Sequence, residues 1–237
     1  MLAALPAWAD GSWCAPPRRE VRIAADDFHH GLTHWRIEAQ DPRAVVRAQD
    51  GVLDVQTPAG LSLWWRSELS GDYAIRFTAT ALPAPASAGP LAGRVSDLNM
   101  FWNATEADGT EPRPRDGAFA SYDNLRLYYA GFGANGNTTT RLRFYDGRGA
   151  RDLLAGWADA TMTEHTRLVA GQPLRVQIVS RQPSAGSPQH LRWAASGRTL
   201  FTRADTAPLL RGWFALRTTA SRLQLRDFEV FACPPRT

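Results

Sequence analysis

Short strand-like segments separated by turn residues dominate this sequence and leave little room for helices. The segments are rich in Val, Ile, Phe, Tyr, Trp and Thr, and Gly, Pro, Asp or Asn bound them. They cover residues 44–47, 52–56, 61–66, 73–81, 97–103, 125–131, 138–145, 174–180, 190–194, 212–218 and 223–232. Only residues 151–159 could form one or two helical turns. Many strands without crossover helices predict an antiparallel sandwich or barrel, with tight turns at Asp50-Gly51 and Asp146-Gly147.

The chain is long enough for one such domain. It has 237 residues, of which 44% are hydrophobic, so it can bury a core. The Pro-rich stretches 83–90 and 111–116 lie between predicted strands and read as loops, so we predict a single domain over residues 19–237. No apolar run approaches the roughly 20 residues that span a bilayer, and we expect no membrane partner.

The N-terminus and the cysteines both favour export. The chain begins MLAALPAWA, and Ala7, Trp8 and Ala9 match the cleavage pattern of a signal peptide. Residues 1–18 are therefore predicted to be a signal-peptide remnant and tail, with a plain apolar terminus as the alternative. Cys14 and Cys233 have no other metal-ligating residue at a suitable spacing, and a disulfide between them fits a secreted or periplasmic protein.

All 27 basic residues are arginine, and the net charge is +4. The charge permits an anionic partner, but G·C-rich codon usage, which replaces Lys by Arg throughout, is the preferred explanation. The arginines form no basic run and accompany no nucleic-acid-binding motif, so we expect no nucleic-acid partner.

Three consecutive predicted strands combine an apolar face with a face of Arg, Asn and Tyr. Successive side chains of a strand point to opposite sides, so each strand can be divided into two faces. The polar faces carry Asn99 and Asn103 in the first strand, Tyr122, Arg126 and Tyr128 in the second, and Arg141, Arg143 and Tyr145 in the third. Such a surface is either a ligand groove or an ordinary solvated sheet face, and these residue types are those that bind sugars.

The same segments resemble a known family. The stretches 94–102, 125–143, 212–218 and 223–231 resemble an uncharacterised bacterial family of concanavalin-A-like lectin/glucanase proteins, and the opening at 26–35 is typical of that superfamily. Members tend to occur with enzymes that degrade acidic polysaccharides. The resemblance implies an all-β jelly-roll sandwich of two antiparallel sheets with a concave, carbohydrate-binding groove. It also allows a structural calcium ion, although it does not settle the reaction.

We predict a polysaccharide lyase that acts by β-elimination on an acidic, uronate-containing polysaccharide. Arginine and asparagine can neutralise the uronate carboxylate, and tyrosine can act as base and acid. The predicted catalytic residues are Tyr128, Arg141, Asn99 and Arg126. The predicted substrate-binding residues are Trp64, Asn103, Tyr122, Asn135, Asn137, Arg143, Tyr145 and His30. Trp64 is preferred to Trp65 because the two adjacent rings must point to opposite faces of their strand.

Two alternatives remain open. A glycoside hydrolase needs a pair of carboxyl groups, and no strand here carries the E-x-D-x-E pattern, so its acids would come from separate strands. A non-catalytic carbohydrate-binding module would need no acid or base. For all three functions we expect a monomer that needs no cofactor.

Overall fold

The computed structural model describes residues 13–14, 19–184 and 188–234. The predicted signal-peptide remnant, except Trp13 and Cys14, lies outside the described residues. The strands are β1 Val21–Asp26, β2 Trp35–Ala39, β3 Val45–Gln49, β4 Val52–Trp65, β5 Leu69–Ser70, β6 Tyr73–Leu82, β7 Leu98–Thr105, β8 Arg126–Gly133, β9 Thr139–Asp146, β10 Arg151–Ala158, β11 Pro173–Arg181, β12 Gln189–Ala195, β13 Arg198–Asp205 and β14 Arg211–Ala232.

Two antiparallel sheets pack face to face. The front sheet has the order β10, β9, β8, β7, the first half of β14, the second half of β4, and β2. The back sheet has the order β13, β12, β11, β6, the second half of β14, the first half of β4, and β3, while β1 pairs with the end of β14. The predicted all-β sandwich of antiparallel sheets is confirmed.

Two long strands belong to both sheets, where the sequence predicted shorter ones. Predicted segments 212–218 and 223–232 are the two halves of β14, which bends at Ala220 with φ +43° and a register shift between Thr219 and Ser221. Likewise, 52–56 and 61–66 both fall in β4. Strand β4 begins after the predicted tight turn, where Asp50 and Gly51 both adopt positive φ, as a two-residue hairpin turn requires.

Helical structure is confined to short segments of three to six residues. The 3₁₀ turns are Ala86–Leu91, Phe119–Tyr122, Asp159–Thr161 and Glu164–Thr166, and Ala134–Asn137 forms one further turn. The interpretation of 151–159 as one or two helical turns was wrong, because residues 151–158 form β10 and pair with β9. No helix of the described residues is long and apolar enough to cross a membrane.

A long connection covers part of the outer face of the front sheet. We call residues 106–125, which join β7 to β8, the strap. Its Tyr122 and Leu125 pack on Trp64, Phe101 and Ala215 of the front sheet and form a second hydrophobic cluster. The main core lies between the two sheets. The front sheet is therefore apolar on its inner face and, beneath the strap, on its outer face as well.

Cys14 and Cys233 form the predicted disulfide. The bridge packs with Trp13, Ala74 and Val179. The neighbours of Ala74 and Val179 in β6 and β11 point into the main core, so the bridge lies on the outer face of the back sheet. It joins the two ends of the described chain on the side of the molecule away from the strap.

Candidate functional site

A row of four residues crosses the outer face of the front sheet beside the strap. In β14, Arg217 pairs with Asn99 of β7, Asn99 pairs with Gly131 of β8, and Gly131 pairs with Arg141 of β9. Residues paired directly across strands share one face of a sheet, so this row has an arginine at each end. The next row on the same face runs through Phe101, Tyr129 and Arg143.

These rows form the floor of a pocket of about 380 Å³. The strap supplies one wall, and the turn between β8 and β9 supplies another. We call this the arginine pocket, and its lining residues are Arg94, Asp97, Asn99, Phe119, Tyr129, Gly131, Ala134, Asn135, Thr139, Arg141, Arg143, Arg151, Arg217 and Thr219. Its size is at the lower end of the range of small-molecule sites.

The middle of the floor depends on the absence of a side chain at Gly131. A Cβ atom there would lie 2.8 Å from Cζ of Tyr129 and 2.9 Å from Oδ1 of Asn99. Glycine thus lets the Tyr129 hydroxyl donate a hydrogen bond to Asn99 Oδ1, at 3.0 Å. The pocket centre therefore presents a phenol and an amide, which are both uncharged.

The pocket carries a large excess of positive charge. Five arginines line it, together with a single acidic residue, Asp97. Asp97 forms an ion pair with Arg94, and Arg151 forms one with Asp123 of the strap. Within the described residues, Arg141, Arg143 and Arg217 have no carboxylate within 4.0 Å. Three guanidinium groups thus face one pocket without an acidic partner.

Arg217 is the most unusual of these cations because it is only 3% exposed. Its guanidinium donates to the Thr219 hydroxyl at 2.8 Å and more weakly to Gly117 O of the strap at 3.4 Å, while its Nε–H has no acceptor among the described residues. Burial lowers the pKa of Arg217, since it penalises the charged form. A buried cation without an acid is costly, so an anion at this place would stabilise it.

The ring of Phe119 lies against two guanidinium groups. Cζ of Arg151 is 4.4 Å from the ring centroid, and Cζ of Arg217 is 4.5 Å from it. Both distances fit cation–π contacts. Phe119 therefore links the strap to two of the pocket arginines.

The turn between β8 and β9 forms the rim of the pocket. Gly133, Asn135, Gly136 and Asn137 all adopt positive φ, which glycine and asparagine tolerate best. The Asp97 carboxylate accepts a hydrogen bond from the backbone N–H of Asn135 at 3.3 Å, so this carboxylate also positions the rim. The Asn135 side chain is exposed at the pocket edge.

The strands that line the pocket also identify the family. The model of a family described as "Domain of unknown function (DUF6250)" matches residues 55–228, which include every lining residue of the pocket. This chain belongs to the DUF6250 family. No curated protein matches the sequence.

Solved structures with the same fold include lectin-like and glycan-active proteins. A protein of unknown function with a galectin-like fold from Bacillus subtilis superposes with a TM-score of 0.69 at 15% identity, covering 92% of this chain and 100% of its own. The endo-β-1,3-glucanase of Pyrococcus furiosus has a TM-score of 0.62 at 8% identity, covering 99% and 100%. The carbohydrate-binding module CBM66 of B. subtilis has a TM-score of 0.53 at 8% identity, covering 84% and 96%. These likenesses show that the DUF6250 chain has the predicted jelly-roll fold.

Four of the predicted site residues line the arginine pocket. They are Asn99, Asn135, Arg141 and Arg143. The alternation in β9 was correct, since Leu142 packs in the main core while Arg141 and Arg143 point outward. The roles predicted for these four residues stay predictions.

Tyr128 does not lie in the pocket, so the sheet face predicted for it was wrong. The face assignment in β8 was inverted: Tyr128 is fully buried in the main core, and its neighbour Tyr129 faces the pocket. The Tyr128 hydroxyl donates to Asp205 Oδ2 at 2.5 Å and lies 3.0 Å from Gln189 Oε1. Arg126, which shares the face of Tyr128 at the start of β8, is also absent from the lining.

The predicted position of Asn103 in the ligand groove was also wrong. It follows the expected alternation only until a register shift after Trp102, where Asn103 adopts a φ of +49°. Its side chain therefore turns inward, accepts a hydrogen bond from the Tyr73 hydroxyl at 2.5 Å and donates to Leu209 O at 2.8 Å. This buried asparagine holds strands together and does not reach the pocket.

Trp64 and Tyr145 lie on the pocket side of the front sheet, but the strap buries them. Tyr122 belongs to the strap itself and not to β8, as was predicted, and it packs on this side of the sheet. All three belong to the second hydrophobic cluster. Glu38 of β2 accepts hydrogen bonds from Trp64 Nε1 at 2.9 Å and from the Tyr122 hydroxyl at 2.7 Å. Burial raises the pKa of Tyr145 to about 12. None of these three rings lines the pocket.

Two other predicted residues lie outside the site. Asn137 uses its side chain to bind the backbone of Leu168, donating to the carbonyl at 2.8 Å and accepting from the N–H at 2.9 Å. His30 is exposed in the connection between β1 and β2, away from the arginine pocket.

The sequence reasoning missed the cations that make the pocket unusual. The main omissions are Arg94, Arg151 and Arg217, with Phe119 and Tyr129. A signal for Arg217 existed, because a single arginine directly follows the apolar run Trp213–Leu216 in β14. The described residues contain no group of three or more His, Cys, Asp or Glu side chains that could hold a metal ion.

Proposed function

We propose that the arginine pocket binds the acidic groups of a saccharide, such as the carboxylates of a uronate-containing polysaccharide. The observation that carries this proposal is the set of three pocket arginines, Arg141, Arg143 and Arg217, that have no acidic partner among the described residues. Guanidinium groups pair with carboxylates in a bidentate way. Asn99 and Asn135 add amides that can hydrogen-bond sugar hydroxyls. The folds of the lectin-like and carbohydrate-binding neighbours support a saccharide over other anions.

The test compares acidic with neutral glycans. Affinity electrophoresis or calorimetry with polygalacturonate, alginate and glucuronan should show binding that weakens as salt rises, whereas a neutral β-1,3-glucan should bind weakly. Arg141→Gln should weaken binding to the acidic glycans by about tenfold, as the loss of a charge-assisted hydrogen bond predicts.

The matched control is Arg47→Gln, which removes the same charge from an exposed position on the back sheet. It should leave the affinity unchanged. Equal binding of neutral and acidic glycans, or equal effects of the two substitutions, would overturn the proposal.

A β-elimination is the second candidate, and Tyr129 is the residue that favours it. In this reaction a base takes the C5 proton of the uronate, the C4–O bond breaks as a C4=C5 double bond forms, and the leaving oxygen takes up a proton. Tyr129 is the pocket residue that could exchange that proton, with Asn99 beside it. Burial raises the pKa of Tyr129, although the neighbouring arginines act in the opposite direction. Binding therefore has stronger support than catalysis.

Absorbance near 235 nm, where an unsaturated uronate absorbs, separates the two candidates. A rise with any of the acidic polymers that is lost in Tyr129→Phe would establish elimination. Binding without such a rise would leave a carbohydrate-binding protein. Release of reducing ends without absorbance would point to hydrolysis, for which the pocket lining offers a single carboxyl group, Asp97.

We also propose that the protein works outside the cytoplasm, in the secreted or periplasmic compartment. The disulfide between Cys14 and Cys233 supports this, since such bonds persist in oxidising surroundings. A protein outside the cytoplasm would also meet acidic polysaccharides before they are cut into pieces small enough for uptake. Fractionation of the producing cells, with the chain detected by antibody, tests this location.

A further inference from the structure

The cations of the pocket floor stand at two separate ends of the cross-strand row. From Arg217 to Arg141 the row crosses three strand steps, through Asn99 and Gly131. At about 4.8 Å per step, their Cα atoms are about 14 Å apart. Arg143 is two residues from Arg141 on the same face of β9, so it strengthens the charge at the same end. The floor thus has one cationic end in β14 and another in β9.

Between the two ends, the two rows of the pocket floor carry no charged side chain. Gly131 contributes no side chain, and the groups beside it are the Asn99 amide and the Tyr129 phenol. A sugar ring could rest over Gly131, with hydroxyl groups facing the amide.

A carboxylate bound at one end leaves the other end without a bidentate partner. A carboxylate binds one guanidinium in a bidentate manner, and strong charge-assisted hydrogen bonds need a separation of about 2.7–2.9 Å. Moreover, Arg217 is nearly buried and held by Thr219 and Gly117, so it is not free to swing toward β9. A bidentate partner for Arg217 and another for the Arg141–Arg143 end therefore require two anionic groups.

We propose that the ligand carries at least two acidic groups on different sugar residues, one held by Arg217 and one held by Arg141 and Arg143. The ligand would then be a short stretch of an acidic oligosaccharide, and a single uronic acid would fill only one end. This inference rests on the proposed function and names the ligand class of the same pocket.

A length series tests it. Calorimetry at low salt compares galacturonate with its dimer, trimer and tetramer. Binding two ends at once makes the second contact intramolecular, so the affinity should rise by at least about tenfold at the shortest oligomer that bridges them. The double variant R141Q/R143Q should lose that rise, because only the Arg217 end remains. The double variant R47Q/R226Q, with two exposed arginines of the back sheet removed, should keep it.

The outcomes distinguish a failure of the two-anion inference from a failure of the proposed binding of acidic saccharides. If galacturonate binds as tightly as the tetramer, or if R141Q/R143Q keeps the full rise with length, the two-anion inference is wrong while acidic-saccharide binding stands. If no acidic oligomer binds and a neutral one does, the proposed function itself is wrong. Arg217→Gln should abolish the rise as well. Because Arg217 is buried, the thermal transition of the Arg217→Gln variant is recorded to show whether it folds. If it does not fold, the result from R141Q/R143Q decides whether two anionic groups are bound.

Discussion

Tyr128 and Tyr129 are adjacent in β8, yet the pleat of the strand gives them different surroundings. Tyr128 packs between the sheets and binds Asp205, whereas Tyr129 faces the arginine pocket and binds Asn99. Both hydroxyl groups are buried, and burial raises the pKa of each. The two side chains point to opposite faces of the sheet. Removing the Tyr128 hydroxyl should therefore affect stability, and removing the Tyr129 hydroxyl should affect ligand binding.

Tyr128→Phe should reduce stability and spare the pocket. The substitution leaves the buried Asp205 carboxylate without its shortest hydrogen bond, which should lower the free energy of unfolding by about 1–3 kcal/mol. Urea unfolding measures the loss, and calorimetry with an acidic oligosaccharide should give the wild-type affinity. Tyr129→Phe is the matched variant, and its affinity should fall. A Tyr128→Phe protein that is fully stable but no longer binds would show that the placement of Tyr128 in the core is wrong.

Gly131→Ala should close the centre of the pocket. The new methyl group would meet the Tyr129 ring and Asn99 Oδ1 at distances below 3.0 Å, so the Tyr129 hydroxyl must move. Overpacking of this kind costs about 1–3 kcal/mol, and the displaced ring would occupy the space above Gly131. We expect a lower melting temperature together with weaker saccharide binding. Unchanged affinity in a folded Gly131→Ala protein would show that the ligand does not cross the middle of the floor.

At the scale of elements, the strap determines which part of the front sheet is available to a ligand. Its own structure depends on Glu106, which accepts hydrogen bonds from Arg115 Nη2 at 2.9 Å and from the Arg113 N–H at 2.8 Å. Arg115 in turn donates to Ser121 O at 2.7 Å. A buried carboxylate thus ties the beginning of the strap to its far end, where Phe119 reaches the pocket.

The stability that Glu106 contributes should disappear in acid. Burial by itself raises the pKa of Glu106, but the hydrogen bonds from Arg115 and Arg113 outweigh it and lower the pKa below the ordinary 4.5. The folded state therefore prefers the charged form, so its contribution is complete above pH 4.5 and falls as the pH drops through the lowered value. Glu106→Gln should cost about 1–3 kcal/mol at pH 7 and progressively less in acid. Urea unfolding of both proteins across that range measures the difference, and a constant difference would contradict this account.

The strap also explains which strand faces could be predicted from the sequence. In β9, Arg141 and Arg143 alternate with Leu142 and Phe144, so the two faces are chemically distinct and the assignment was correct. In β8, the strap makes the outer face apolar at Leu127, so alternation could not show which face was the core. Trp64 was placed on the correct side but is covered for the same reason. In β8 and β4 the strap determines which outward residues are covered. The local alternation of a strand carries no information about a segment that is distant in sequence.

Two further features of the site could not be predicted from the sequence pattern. The inward turn of Asn103 follows from one residue of positive φ and a register shift, and nothing in an alternating pattern marks such a point. The row from Arg217 to Arg141 joins strands that are far apart in sequence, so its composition depends on pairing register. By contrast, strand segments and turn residues predicted an antiparallel all-β sandwich or barrel, and the family resemblance added the jelly-roll sandwich.

At the scale of the whole molecule, β4 and β14 join the two sheets because each contributes one half to each sheet. The arginine pocket lies on the outer face of the front sheet. The disulfide lies on the outer face of the back sheet, beside Ala74 and Val179. The main core separates the two sites, so the bond can affect stability without contacting the pocket.

Removal of the disulfide should therefore separate stability from binding. Cys14 and Cys233 are 219 residues apart in sequence, so the bond restricts nearly the entire unfolded chain. The loop-entropy model predicts a contribution of about 5 kcal/mol for a loop of this length, and native disulfides contribute about 2–5 kcal/mol in practice. The Cys14→Ser/Cys233→Ser protein should lose that amount in urea unfolding, as should the reduced wild type. Under conditions where the variant is still folded, its affinity for an acidic oligosaccharide should equal that of the wild type, because the row from Arg217 to Arg141 depends on strand pairing in the front sheet. A loss of affinity in the folded variant would mean that the register of β14 depends on the bond at its far end, and the two outer faces would then be coupled through that strand.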